Sequence, residues 1–307
     1  MVIAVIGEAL VDIVEDSTGV RQYPGGGPLN IAVGLARLGC EVELFADVGE
    51  DELGDSIRNH VSRENVRLAS PRHSITSTAH AKIDVHGAAR YEFDVRWDPG
   101  LPVFTQTPEI LHVGSLGAFL SPGDSVVSSA VRDAPAATLV SFDPNIRPQL
   151  IPSATSARRT TESLLAGSDV VKLSDEDAAY IWPAEHLTSV LDRILERGPA
   201  LAVVTRGSEG AVLATRSGVQ YVEAPATDVR DTIGAGDSFM AGLLFALREG
   251  AQSVEGDGWF DDVVSNPVAV ARAARFAVAC AAVTVSRAGA NPPRLAEVAV
   301  RSSGSRE

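Results

Sequence analysis

Short apolar runs alternate with helix-like runs along most of this chain, and that rhythm restricts the fold more than any other feature. Val2–Ile6 reads as a buried strand, and similar runs fall at residues 42–45, 110–113, 138–142, 170–173 and 201–205. Between them, residues 30–38 place Ile31, Leu35 and Leu38 at helical spacing, with Gly39 as a stop. Strands apolar on both faces, alternating with helices, predict an α/β fold: a mostly parallel central sheet flanked by helices on both faces.

Two segments break the rhythm. Residues 80–93 (HAKIDVHGAARYEF) alternate apolar and polar side chains about His86-Gly87, the pattern of a half-exposed hairpin, and residues 11–14 alternate around Asp12. These segments, about residues 11–23 and 78–98, read either as a small β-layer over one end of the main sheet or as an ordinary edge hairpin. Residues 250–262 read as an acidic loop, residues 148–156 as a loop rather than a domain boundary, and residues 302–307 as a frayed tail. A single domain over residues 1–307 is the expectation.

The 307 residues are 45% hydrophobic, enough for a large core, and carry a formal net charge of −14. That charge argues against nucleic acid and anionic membrane as partners. It does not argue against phosphate, because backbone N–H groups at a helix start bind anions in an acidic protein. Cys40 and Cys280 form no zinc or disulfide pattern and fall in apolar helical stretches, so buried thiols are expected. The start of the chain lacks a basic leader, and no apolar run approaches the ~20 residues of a membrane span. A cytoplasmic setting is expected.

In open parallel sheets ligands bind beyond the carboxyl ends of the strands. Here those positions hold Gly114-Ser115, then Asp143-Pro144-Asn145-Ile146-Arg147, then Ser174 to Asp177, then Arg206-Gly207. Polar groups from four strands thus converge on one rim, although each alone would serve equally as a cap or a solvated turn. The sharpest segment is DTIGAGDSFMAG, residues 231–242, a glycine-rich turn entering an amphipathic helix. Such a turn offers unpaired N–H groups and the positive end of the helix dipole. Asp237, in the first turn, would either cap the helix or take a proton from a substrate hydroxyl, and the dipole would favour its ionised form. A second glycine-rich turn, PGGGPLN at residues 24–30, opens the helix near Asn30, with Asn30 as either a ligand contact or the N-cap. TRGSEG, residues 205–210, fits a nucleotide-side turn but also many plain strand connections. The G-x-x-x-x-G-K-[ST] loop, the H-R-D loop and a first-strand G-x-G-x-x-G are absent.

The two glycine-rich segments, in this order and separation, resemble the N- and C-terminal signatures of the ribokinase-like (PfkB) carbohydrate kinases. GEALVDIV, FADVGEDELG, SFDPNIRP, VKLSDEDA and VTRGSEGA resemble further landmarks of that family, from about Ile3 to about Gly289. GEALVDIV with DPNIRP looks most like its fructokinase subgroup. The resemblance implies a ribokinase-like fold with a β-sheet lid, and ATP-dependent phosphorylation of a sugar hydroxyl with Mg²⁺. Asp237 would be the catalytic base, Gly234, Ala235 and Gly236 the anion hole, and Arg147 a contact to phosphate or acceptor. Asp12, Gly26, Gly27 and Asn30 would hold the acceptor. Thr205, Gly207 and Gly210 would lie along ATP, with Lys172, Ser174 and Asn145 nearby. Asp231 and Ile233 would border a monovalent cation, K⁺, as in some members. A homodimer through the lid is a further expectation.

The sequence departs from the family pattern at its N-x-x-E motif, which helps organise Mg²⁺ through water. It appears here as Ser174-x-x-Asp177, so Asp177 would act through water. The tyrosine-arginine lid pattern of 2-keto-3-deoxygluconate kinases is not found at residues 91–98. The alternatives are a 2-keto-3-deoxygluconate kinase, or another sugar or nucleoside kinase, on the same fold, and after them a catalytically weak sugar sensor.

Overall fold

The computed structural model describes residues 2–70, 72–73, 75–83, 89–251 and 258–298. The turn expected about His86-Gly87, residues 252–257 of the acidic loop and the tail at 302–307 lie outside them.

The chain opens with β1 (Val2–Ile6), β2 (Leu10–Asp16), β3 (Gly19–Gly25), α1 (Gly27–Arg37), β4 (Glu41–Phe45), β5 (Val48–Gly49), α2 (Glu52–Arg63), β6 (Val66–Ala69) and β7 (Arg72–His73). It continues through β8 (Thr78–Ile83), β9 (Ala89–Asp94), β10 (Ile110–Gly114), α3 (Asp124–Arg132), β11 (Leu139–Asp143), α4 (Ala154–Leu165), β12 (Val170–Ser174), α5 (Asp175–Ile181) and α6 (Leu187–Leu195). The last part holds β13 (Leu201–Thr205), β14 (Ala211–Thr215), β15 (Gly218–Val222), α7 (Ala235–Gly250), α8 (Trp259–Ser265) and α9 (Pro267–Val285).

Nine strands form the main sheet, in the order β15-β14-β13-β12-β11-β10-β1-β4-β6. Every pairing from β6 to β13 is parallel, and β14 runs antiparallel to both β13 and β15. The apolar runs are unbroken because each strand feeds two cores. On β1, Ile3 and Val5 join the core under α1, α2, α7, α8 and α9, while Ala4 and Ile6 join the core under α3 to α6. On β13, Leu201 and Val203 point to the first core, and Ala202 and Val204 to the second. The expected parallel sheet covered on both faces is therefore observed.

The segments that break the rhythm form a separate four-stranded sheet, β3-β2-β8-β9, with β2 and β8 parallel and the outer pairs antiparallel. It is not an edge hairpin of the main sheet. β2 follows β1 after only Gly7, Glu8 and Ala9, so the small sheet stands at the carboxyl end of the main one.

Two boundaries differ from the reading of the sequence. α1 starts at Gly27 rather than near Asn30: Gly26, at φ 108°, is the N-cap, and Pro28 follows in the first turn. Asn30 is therefore a helical residue and not a cap. Residues 259–262, read as acidic loop, open α8, because Trp259 and Phe260 bury their rings in the core and anchor that turn.

Cys40 and Cys280 are free and buried, as expected. Cys280 lies where α7 and α9 touch, and a Cβ on Gly242 would stand 2.9 Å from its sulfur. α9 is apolar and long enough to cross a membrane, but half of it is buried, and it lies against α7, with Phe245 and Phe276 at 5.5 Å between centroids. Leu244 of α7 is wholly buried in the first core. Leu244→Ala should cost about 2–5 kcal/mol of stability in urea-induced unfolding, the range for a leucine truncated in a packed core.

Candidate active site

The site is built where α1 and α7 point their N-termini at the carboxyl ends of β10, β11 and β12. α7 is entered through Gly234, which is left-handed at φ 75°. A Cβ there would also stand 2.7 Å from the Cβ of Ala290, so glycine is required by conformation and by space. The first N–H groups of the helix have no carbonyl one turn back. Ala235 turns its N–H to Thr232 O at 3.3 Å.

Asp237 does not cap this helix, which has no side-chain cap. Its Oδ2 instead accepts from Asn30 Nδ2 at 2.8 Å, joining α7 to α1. Gly27 lets this join form: a Cβ there would lie 2.9 Å from Asn145 Nδ2 and 3.4 Å from both Asp237 Oδ1 and Ser115 Cβ. On the side of the small sheet, a Cβ on Gly25 would collide with the carboxylate of Asp12, and one on Gly26 would lie 2.7 Å from Glu8 O. Asp12, Gly26, Gly27, Asn30 and Asp237 thus come together, with Ser115 and Asn145 as neighbours.

The carboxylates of this cluster feel burial and one another. Burial pushes Asp237 above its ordinary value, against the pull of the Asn30 hydrogen bond and of Lys172 and Arg147. The helix dipole was expected to favour the ionised form; desolvation outweighs it. Burial also raises Asp12 to about 6, offset by Arg147 and reinforced by Asp237. Glu8 is raised to about 7 by burial, although Gly117 N–H donates to its Oε2 at 2.9 Å.

Behind the first turn of α7 lies a buried ion pair. Lys172 Nζ donates to Asp143 Oδ2 at 2.7 Å, with both side chains almost wholly enclosed. Nζ also lies 3.1 Å from where a Cβ of Gly236 would be, directly under the first turn of α7. The other oxygen of Asp143, Oδ1, is buried and accepts no hydrogen bond. Ser174 and Asp177 form a capping box on α5, and Asp177 Oδ1 takes a further hydrogen bond from Ile146 N at 2.7 Å. Asp177 thereby fixes the loop that carries Asn145 and Arg147. Arg147 is exposed and, among the described residues, donates only within that loop, to Asn145 Oδ1 at 2.8 Å and Ile146 O at 3.0 Å among others.

Further along the rim, Thr205 ends β13 beside Ser174, and its hydroxyl is 3.5 Å from Leu173 O. Gly207 and Gly210 bound a single turn of 3₁₀ helix, at φ 50° and 89°. Asp231 accepts from Ile233 N at 3.0 Å and from Gly289 N at 2.7 Å. It braces the approach to Gly234, and Ile233 is 57% exposed beside it.

The profile of the pfkB family of carbohydrate kinases matches residues 2–297. The chain belongs to that family. A fructokinase of Klebsiella pneumoniae is 36% identical over 257 residues, which are 79% of this chain and 83% of the relative. Among solved structures, an ATP-bound fructokinase from Xylella fastidiosa superposes with a TM-score of 0.87 at 27% identity, covering 100% of this chain and 99% of that one. A double mutant of the Vibrio cholerae O395 fructokinase, in a fructose-, ADP- and potassium-bound form, gives 0.80 at 28% identity and 97% coverage of each chain. The resemblance read from the two glycine-rich signatures is confirmed, and with it a phosphotransferase acting on a sugar hydroxyl.

In this pfkB kinase the sequence reading placed Ser115 and Asp143 on the rim without giving them a role, and passed over Glu8. Glu8 and Ser115 follow the carboxyl ends of β1 and β10, and Asp143 ends β11. What hid them is that their role depends on burial and on partners distant in sequence. Lys172→Met should destabilise the protein by about 3–5 kcal/mol in chemical unfolding, because it strands the Asp143 carboxylate in the interior. Adding Asp143→Asn should recover much of that loss.

Proposed function

We propose that this carbohydrate kinase transfers the γ-phosphate of ATP to a primary hydroxyl of fructose, as a single catalytic domain. The observation that carries the reading is the position of Asp237. Its carboxylate lies in the first turn of α7, accepts from Asn30 of α1 and is close enough to Asp12 to raise it. The acceptor would lie between the small sheet, acting as a lid, and the rim, held by Asp12, Gly26, Gly27 and Asn30. Asp237 would take the hydroxyl proton as that oxygen bonds to the γ-phosphorus and the bond to the β-phosphate bridging oxygen breaks, leaving ADP. The N–H groups of Gly234, Ala235 and Gly236 would hold charge on the phosphoryl in transfer, that of Ala235 by leaving Thr232 O, with Arg147 beside them. Thr205, Gly207 and Gly210 would flank the nucleotide, with Lys172 and Ser174 inside the rim. Lid closure would exclude water and so suppress hydrolysis of ATP.

Mg²⁺ fits this chain as an ion held mostly by phosphate and water. Among the described residues no three acidic or imidazole groups form a cage. The unpartnered Asp143 Oδ1 and the remaining lone pairs of Asp177 suit water-mediated contact. When bound, the ion would neutralise charge on the phosphates. Asp231 and Ile233 would border K⁺, a reading supported by the potassium-bound Vibrio relative. β3 is an edge strand with Val20 and Tyr23 exposed, which suits pairing with a second copy through the lid, and light scattering would test it. Use of ATP and two free thiols suit a cytoplasmic setting.

The test is an ATP-consumption assay with Mg²⁺ and a panel of fructose, ribose, 2-keto-3-deoxygluconate and adenosine. Fructose should give the highest kcat/KM; preference for another acceptor would reassign the substrate, and binding without turnover would favour a sensor. Asp237→Asn should lower kcat by about 10²–10⁴ while leaving thermal unfolding unchanged. Because burial raises Asp237, the acid limb of kcat/KM should lie above an ordinary aspartate's 3.8, activity falling as pH drops through it. Asn30→Ala removes a hydrogen bond that favours the carboxylate, so it should move that limb to higher pH.

A further inference from the structure

A short loop ties the turn that enters α7 to the far end of α1. Residues 289–292 run from the entry of α7 to the far end of α1. At one end, Gly289 N donates to Asp231 Oδ2 at 2.7 Å and Ala290 packs where Gly234 has no side chain. At the other, Arg37 Nη1 donates to Asn291 Oδ1 and to Pro292 O, both at 2.6 Å. Pro292 also rests on Gly34 of α1, where a Cβ would be 3.6 Å away.

Arg37 is itself held. Its Nη2 pairs with Glu64 Oε1 at 2.7 Å, both side chains largely buried, and Arg294 Nη2 reaches Glu64 Oε2 at 3.0 Å. Glu64 stands at the C-cap of α2, where the helix dipole disfavours a carboxylate, yet the Arg37 hydrogen bond holds its pKa below the usual range. The guanidinium thus joins the ends of two helices to a loop of four residues whose other end fixes Asp231 and Gly234. α1 reaches the site twice, directly through Asn30 and indirectly through Arg37.

We propose that Arg37 is a positioning residue for the nucleotide side of the site, clamping residues 291–292 so that Gly289 and Ala290 hold the anion-hole turn in register. The inference rests on the kinase reading above and adds a determinant of nucleotide affinity outside the cleft. Arg37→Met keeps the aliphatic stem and removes the clamp; Asn291→Ala removes one acceptor from a part-exposed position.

Each variant should raise KM for ATP roughly 3- to 30-fold, the scale of coupling through a packed network, while KM for fructose changes by less than about twofold. The double variant should be no worse than the more affected single one, because both act on one contact. An unchanged KM for ATP in variants with native circular dichroism would overturn the clamp, as would a parallel rise of both KM values. If Arg37→Met does not fold, Asn291→Ala decides alone. Failure of the unaltered protein to turn over any sugar would count against the proposed function instead. Calorimetric titration with ADP, which needs no turnover, would then decide the clamp: about equal affinity for wild type and variants overturns it.

Discussion

The pairing of Lys172 with Asp143 is the interaction on which the rest of the site depends. The chain carries a net charge of −14, and it brings Asp12, Asp143 and Asp237 together, where burial raises all three. Carboxylates crowded and desolvated in this way resist ionisation. Lys172, rooted on the central strand β12, supplies a fixed positive charge to Asp143 and a weaker attraction to Asp237. It also fills the space under Gly236, so one side chain sets both the charge balance of the sheet edge and the seat of α7.

From that seat the geometry of two helix N-termini follows. α1 and α7 are both entered through glycines in conformations that other residues rarely adopt, at Gly26 and Gly234. Side chains at Gly27 and Gly236 would fill the space between the helix ends, against Asn145 and Asp237 in one case and Lys172 in the other. With those volumes removed, the Asn30–Asp237 hydrogen bond closes across 207 residues of sequence. The two helix starts then face one another, with the Asp237 carboxylate between them.

The parts of this arrangement that depend on local pattern were legible in the sequence. The strands of the main sheet are apolar on both faces because both faces are covered, and the alternating segments read as a separate layer for the opposite reason. Asp237 stood out because glycine, helix start and carboxylate fall within four residues. Asn30 was read as open between cap and contact, since the choice turns on whether the helix begins at residue 27 or 30, which only packing around Gly27 decides. The start of α8 was missed because Trp259 and Phe260 lie among acidic and glycine residues, and the core that receives them is distant in sequence. The ionisation of Asp237 was misjudged because the dipole is visible in sequence and desolvation is not.

The two cations of the cluster are held in different ways, and the difference bears on what each can do. Moving Lys172 would leave Asp143 charged in the interior, at a cost of several kcal/mol, so its position is set by the fold. Arg147 gives up only hydrogen bonds to its own loop, and solvent can replace them. Asp177 fixes the backbone of that loop without restraining the guanidinium. A planar, fork-shaped donor on a fixed loop can be re-aimed, where a buried ammonium keeps the first turn of α7 in place. The cleft thus combines a fixed charge that maintains its shape with an adjustable one at its mouth.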